Sequence, residues 1–190
     1  MAVVRRLVIA VVAGLALLPA GPARAAGPAA GVVVRVAQFQ PWDAARPPAA
    51  VTYDEGLVPA GGLVVVAALT GRGGTLVLLS VAGLVPHHQY GAHVHRSPCG
   101  ETPAASGAHY QNVPDPVQPS VDPRYANPAN EVWLDVSTDA GGAGRAIARV
   151  RWTARPGQAN SVVLHAHGTS HEPGGAGTAG ARVGCLTVPF

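Results

Sequence analysis

Glycine and proline interrupt this chain so often that no stretch of it carries a convincing helical period. There are 24 glycines and 18 prolines among 190 residues. Proline lacks the N–H that a helix interior needs, and glycine loses the most backbone entropy on ordering. Short apolar runs rich in valine and leucine lie between the breaks, and none carries a period of 3.6. Such side chains suit a pleated, half-buried surface. Strands are therefore predicted at Val32–Gln38, Gly62–Leu69, Thr75–Ala82, Gly91–Arg96, Glu131–Thr138, Arg145–Thr153, Ser161–His167 and Arg182–Val188. Eight short strands on this spacing imply an all-β sandwich or barrel.

Two segments stand outside this pattern. Residues 97–130 hold seven prolines and almost no apolar periodicity, and residues 168–181 are glycine-rich. Long irregular segments in a compact domain are usually functional or disordered. One of these contains a histidine and a cysteine, and the other directly follows a histidine-bearing strand, which favours function.

The N-terminus reads as a secretory leader spanning residues 1–25. Arg5 and Arg6 supply its positive end, Leu7 to Leu18 its apolar stretch, and Ala23-Arg24-Ala25 an A-x-A cleavage site. The apolar stretch is short for a bilayer span. No cysteine lies near the cleavage point, so a lipoprotein anchor is excluded. The expected product is a secreted domain over residues 26–190 with no membrane attachment.

Cleavage changes the charge argument. The whole chain has 13 basic and 10 acidic residues, and Arg5, Arg6 and Arg24 leave with the leader, so the formal charge falls to zero. Nothing in that balance supports binding to nucleic acid or anionic lipid. The two cysteines, Cys99 and Cys185, are expected to form a disulfide in an oxidising compartment.

The histidines carry the chemistry. His93 and His95 are separated by one apolar residue, so on a strand both imidazoles share a face. His109 follows Ser106-Gly-Ala, where small residues admit close backbone approach. His165 ends the apolar run Ser161-Val-Val-Leu. Four imidazoles on rigid strand ends suit a nitrogen-rich copper(II) site.

The order of motifs Gly83-Leu84, Gly91-Ala-His-Val-His95, Cys99-Gly100, Gly107-Ala-His109, Val162-Val-Leu-His165 and Gly177-Thr-Ala-Gly-Ala-Arg-Val-Gly-Cys185 resembles the copper/zinc superoxide dismutase family over residues 32–190. The resemblance implies an eight-stranded Greek-key β-barrel with two long loops. It implies a superoxide anion substrate, with His93, His95 and His165 as copper-only ligands. His109 matches the histidine that bridges the two metals and takes part in proton delivery. Cys99 and Cys185 match a disulfide beside the site, and Arg182 matches the arginine that draws superoxide in.

The chain departs from the family's zinc site. Residues 110–130 contain no histidine, and Asp115 and Asp122 are the only acidic residues there, with Glu131 following. Carboxylates alone match zinc's nitrogen and sulfur preference poorly. The loop from His167 to Gly180 is also short for the family. The expectation is one copper ion and no zinc, with a carboxylate orienting His109 in zinc's place. Glu131 is the candidate and Asp115 its rival. His167 shares a strand face with His165 and reads as a rim residue; His87, His88 and His171 read as loop residues, and Trp133 and Trp152 as core. A non-catalytic extracellular copper-binding or copper-handling protein on the same barrel is the alternative, and the choice between monomer and homodimer stays open.

Overall fold

Alternation decides which side of each strand is wet. In Gly74–Ala82 the residues Thr75, Val77, Leu79 and Val81 are buried while their neighbours are half-exposed, the signature of a sheet with one dry face. The computed structural model describes residues 30–190. The predicted leader and the secretion reading that depends on it lie outside the described residues.

The strands are β1 (Gly31–Gln40), β2 (Ala50–Thr52), β3 (Leu63–Gly71), β4 (Gly74–Ala82), β5 (Gln89–Tyr90), β6 (Ala92–His95), β7 (Val136–Ser137), β8 (Gly144–Val150), β9 (Ser161–His165) and β10 (Arg182–Thr187). Eight form one curled sheet in the order β6-β9-β10-β2-β1-β3-β4-β8, and β5 and β7 form a two-stranded ribbon. All sheet neighbours are antiparallel except β1 and β2. The fold is all-β, a half-barrel closed around a core that includes Phe39, Val66, Leu79, Leu134 and Leu164.

Three expectations need correction. Glu131–Thr138 is predicted as one strand, but only Val136–Ser137 has a ladder partner; residues 131–134 run extended along β6 and join it through an isolated bridge at Trp133. β2 and β5 are absent from the prediction because three- and two-residue strands are too short to show a period. The segment 97–130 is not wholly irregular: a turn of 3-10 helix spans Pro103–Ser106.

The two halves of the sheet differ. β3 and β4 have one buried face, whereas β6 and β9 are buried on both. Ala92, Val94, Val162 and Leu164 enter the core. The opposite face of those two strands carries His93, His95 and His165, covered by the long loops. The disulfide joins Cys99 of the first loop to Cys185 of β10.

Candidate metal centre

β6 and β9 pair antiparallel with His93 opposite Val163 and Ala92 opposite Leu164. His165 is therefore the diagonal neighbour of His93 on the same face. The free edge of β6 supplies the fourth ring. Arg96 N–H donates to Ala108 O, Tyr110 N–H donates to Val94 O, and His95 and His109 form an antiparallel bridge. The other end of the loop returns to the same edge, where Val94 N–H donates to Val132 O and Leu134 N–H donates to Ala92 O. Asn130 closes the neck between the two ends: its side chain accepts from Val113 N–H at 2.7 Å and donates to Val113 O at 2.8 Å. Both loop ends are thus pinned to one strand, which sets His109 beside Glu131.

The result is a cluster of His93, His95, His109 and His165 whose candidate ligand atoms lie within 4.8 Å of one another. Among the described residues it is the one such grouping of histidine, cysteine or carboxylate side chains. His93 and His95 are fully buried and His165 nearly so.

Hydrogen bonds decide which nitrogen of each ring faces the centre. A carbonyl oxygen can only accept, so a ring nitrogen bonded to one carries the proton. His95 Nδ1–H donates to Gly107 O at 3.0 Å, and His165 Nδ1–H donates more weakly to Gly180 O at 3.3 Å. Both acceptors are glycines with φ near +70 to +80°. A side chain on Gly180 would also strike the His167 ring at 2.6 Å, so only glycine fits there. His109 Nδ1–H donates to Glu131 Oε2 at 2.8 Å. Each of these three rings therefore turns a bare Nε2 toward the centre, and those of His95 and His165 face each other at 3.4 Å. The fourth ring offers Nδ1 of His93, which has no hydrogen-bond partner although it is buried.

Unprotonated nitrogens crowded together without donors repel one another, and a buried polar atom without a partner is costly. A cation satisfies all four at once. The protonation states agree with that use. Burial, and after it the His109 ring, holds His93 and His95 well below the usual histidine range. The same causes lower His165 from 6.5 to about 4. Metal binding requires neutral imidazole, and these rings are neutral at pH 7. The donor set, four nitrogens with no thiolate, fits copper(II).

Glu131 is 1% exposed, and both of its oxygens are engaged. Oε2 accepts from His109 and from the Trp133 indole N–H at 2.7 Å, and Oε1 accepts from Gln111 at 2.8 Å. Asp115 lies elsewhere in the loop, accepting from Val117 N–H and the Ser120 hydroxyl. Trp133 is thus not a simple core residue, as its sequence suggests, because its N–H points at the carboxylate beside His109. Its place two residues after Glu131, on the same face of an extended run, was the signal that could have found it. Gln111 stands two after His109 in the same way. His167 is exposed and stands outside the cluster.

Arg182 is half-buried at the start of β10, opposite His165. Its Nη1 donates to Pro103 O at 2.8 Å and to the Ser106 hydroxyl at 3.1 Å, so the disulfide-bearing loop holds the guanidinium in place. A cleft of about 380 Å³ opens here, lined by His109, Gln118, Val121, His165, Thr178 and Arg182. It offers a positive charge beside the histidine cluster and room for a small anion.

No protein-family profile and no curated protein matches this chain. Solved structures do. A Cu/Zn superoxide dismutase from Brucella abortus is 19% identical, with a TM-score of 0.53 over 85% of this chain and 100% of that one. Two mutants of a superoxide-dismutase-like protein from Bacillus subtilis give a similar result. The double mutant is 16% identical, with a TM-score of 0.52 over 68% of this chain and 92% of that one. The single mutant is 14% identical, with a TM-score of 0.53 over 85% and 100%. The chain has the Cu/Zn superoxide dismutase fold.

Proposed function

We propose that this chain is a secreted superoxide dismutase that works with one copper ion and no zinc. The observation that carries the reading is the convergence of four bare imidazole nitrogens in a cleft that also presents Arg182. His93, His95, His109 and His165 would hold the copper. Redox cycling at bound copper supplies the chemistry, in which one superoxide loses an electron to become dioxygen and a second gains it and two protons to become hydrogen peroxide.

The chain's own residues bind, orient and move protons. Arg182 attracts the anion, and Pro103 and Ser106 fix where its guanidinium lies. Buried His93 and His95 anchor the centre on the rigid pairing of β6 and β9. His109 has the most exposed ring of the four, with 19% of its side chain accessible, so it is the ring best placed to pass a proton to a molecule in the cleft. Glu131 keeps the His109 proton on Nδ1, and Trp133 and Gln111 hold that carboxylate still. These three donors take three of the carboxylate's four lone-pair sites, one of them from the His109 nitrogen that zinc would otherwise take, and residues 110–130 add no imidazole.

The test is elemental analysis of the protein after loading, paired with superoxide dismutation measured with copper alone and with copper plus zinc. One copper per chain and full activity without zinc are expected. Failure to bind copper overturns the reading. Copper binding without turnover replaces it with a copper-binding role, and activity that needs zinc overturns the single-metal part. N-terminal sequencing of protein recovered from the growth medium checks secretion, with Ala26 expected first.

A further inference from the structure

The run Glu131-Val-Trp-Leu-Asp-Val136 alternates: Val132, Leu134 and Val136 enter the core, while Glu131, Trp133 and Asp135 take the other face. The first two of those three serve His109. The third reaches a different histidine. Asp135 Oδ2 accepts from Thr169 N–H at 2.7 Å, and Oδ1 accepts from the Thr169 hydroxyl. Thr169 is buried in the loop between β9 and β10, and its hydroxyl oxygen lies 2.7 Å from His93 Nε2.

A threonine hydroxyl has one proton to give and two lone pairs. The carboxylate oxygen can only accept, so that proton goes to Asp135. The hydroxyl has only a lone pair left for His93, and Nε2 must therefore carry the ring's proton. The remaining nitrogen, Nδ1, is the atom left buried without a partner in the centre. We propose that Asp135, acting through Thr169, is a positioning residue that fixes the His93 tautomer and delivers Nδ1 to the metal with its lone pair free.

The same two bonds also fasten the loop. Thr169 is held by backbone and side chain at once, and ten residues further on the loop lines the cleft with Thr178 and Ala179 before reaching Arg182. Loop seating and ligand tautomer are therefore set by one carboxylate. Neither His95 nor His165 is held this way, since carbonyl oxygens fix both. A carbonyl needs no further partner to act as an acceptor, whereas a hydroxyl becomes a dedicated acceptor only when another group takes its proton.

This assignment rests on His93 being a metal ligand, so the experiment reads the metal-free and copper-loaded protein separately. Long-range proton–nitrogen NMR on histidine-labelled, metal-free protein reports which nitrogen of His93 carries the proton. Wild type and Thr169→Ser should show the proton on Nε2 alone. Thr169→Val removes the acceptor, and Asp135→Asn offers an amide N–H where an acceptor is needed; both should give a mixture of tautomers. Copper(II) affinity, measured by competition with a chelator, should fall about 10–100-fold in those two variants and recover in Thr169→Ser. An unchanged tautomer and unchanged affinity in Thr169→Val overturn the proposal. Should that variant fail to fold, Asp135→Asn carries the same test with the threonine intact. If wild-type protein binds no copper, the dismutase reading fails and delivery of Nδ1 to copper fails with it, while the metal-free tautomer still decides whether Asp135 and Thr169 place the His93 proton.

Discussion

Burial makes the histidines good ligands, and it also makes the metal-free protein acid-sensitive. An unfolded histidine titrates near 6.5, while folded His165 titrates at about 4. Between those pH values the unfolded chain binds the extra proton, so the His165 contribution to stability falls as pH drops from 6.5 to 4 and levels off below. His165 alone accounts for on the order of 3 kcal/mol, and His93 and His95 act in the same direction. Urea unfolding of metal-free protein at pH 7 and pH 4.5 checks this, and equal midpoints would contradict it. Arg182 makes a second residue-level prediction. Arg182→Ala should slow turnover roughly tenfold and relieve inhibition by small anions, with copper content unchanged. Arg182→Lys should recover part of the rate, because it keeps the charge and loses the planar guanidinium whose Nη1 is seated on Pro103 and Ser106.

At the level of elements, β6 was the most legible part of the molecule. Its His-Val-His spacing alone places two rings on one face, and the apolar run before His165 supplies the partner strand. The strand predicted at Glu131–Thr138 was legible by alternation but not by pairing. Its first half lies on an edge that it shares with residues 108–110, so it makes one isolated bridge there and no ladder. Thr169 and Asp135 could not be read from the sequence. They are 34 positions apart, and nothing in either residue type shows that the chain brings them together. The disulfide was legible because only two cysteines exist. It ties residues 86 positions apart and steadies the loop that holds Arg182. Replacing both cysteines with alanine should cost about 2–5 kcal/mol of stability, read as a lower thermal midpoint. Turnover should fall with copper still bound, since none of the four histidines lies within the Cys99–Ser106 tether.

At the level of the whole molecule, residues 30–190 carry ten arginines, no lysine and ten carboxylates. A body with no net charge gives an approaching anion little long-range pull, so attraction must come from Arg182 at close range. The rate constant should therefore change by only about twofold or less as ionic strength rises from about 0.01 M to 0.15 M. A steep fall would mean that charges far from the cleft steer the substrate. The neck at Asn130 has a further consequence. The span from Pro114 to Ala129 leaves and returns through one clamp, while the rings and carboxylate on either side of it are fixed to β6. Doubling the length of such a span adds only about 0.6 kcal/mol of closure entropy. Provided that Asp115 N–H still holds Gln111, the rest of the span can be lengthened, trimmed or exchanged while the histidines keep their places. Gln118 and Val121 sit on that span at the mouth of the cleft. Admission to the histidine centre and the make-up of that centre are therefore separately heritable, and descendants of this chain are free to change their gate without rebuilding the centre.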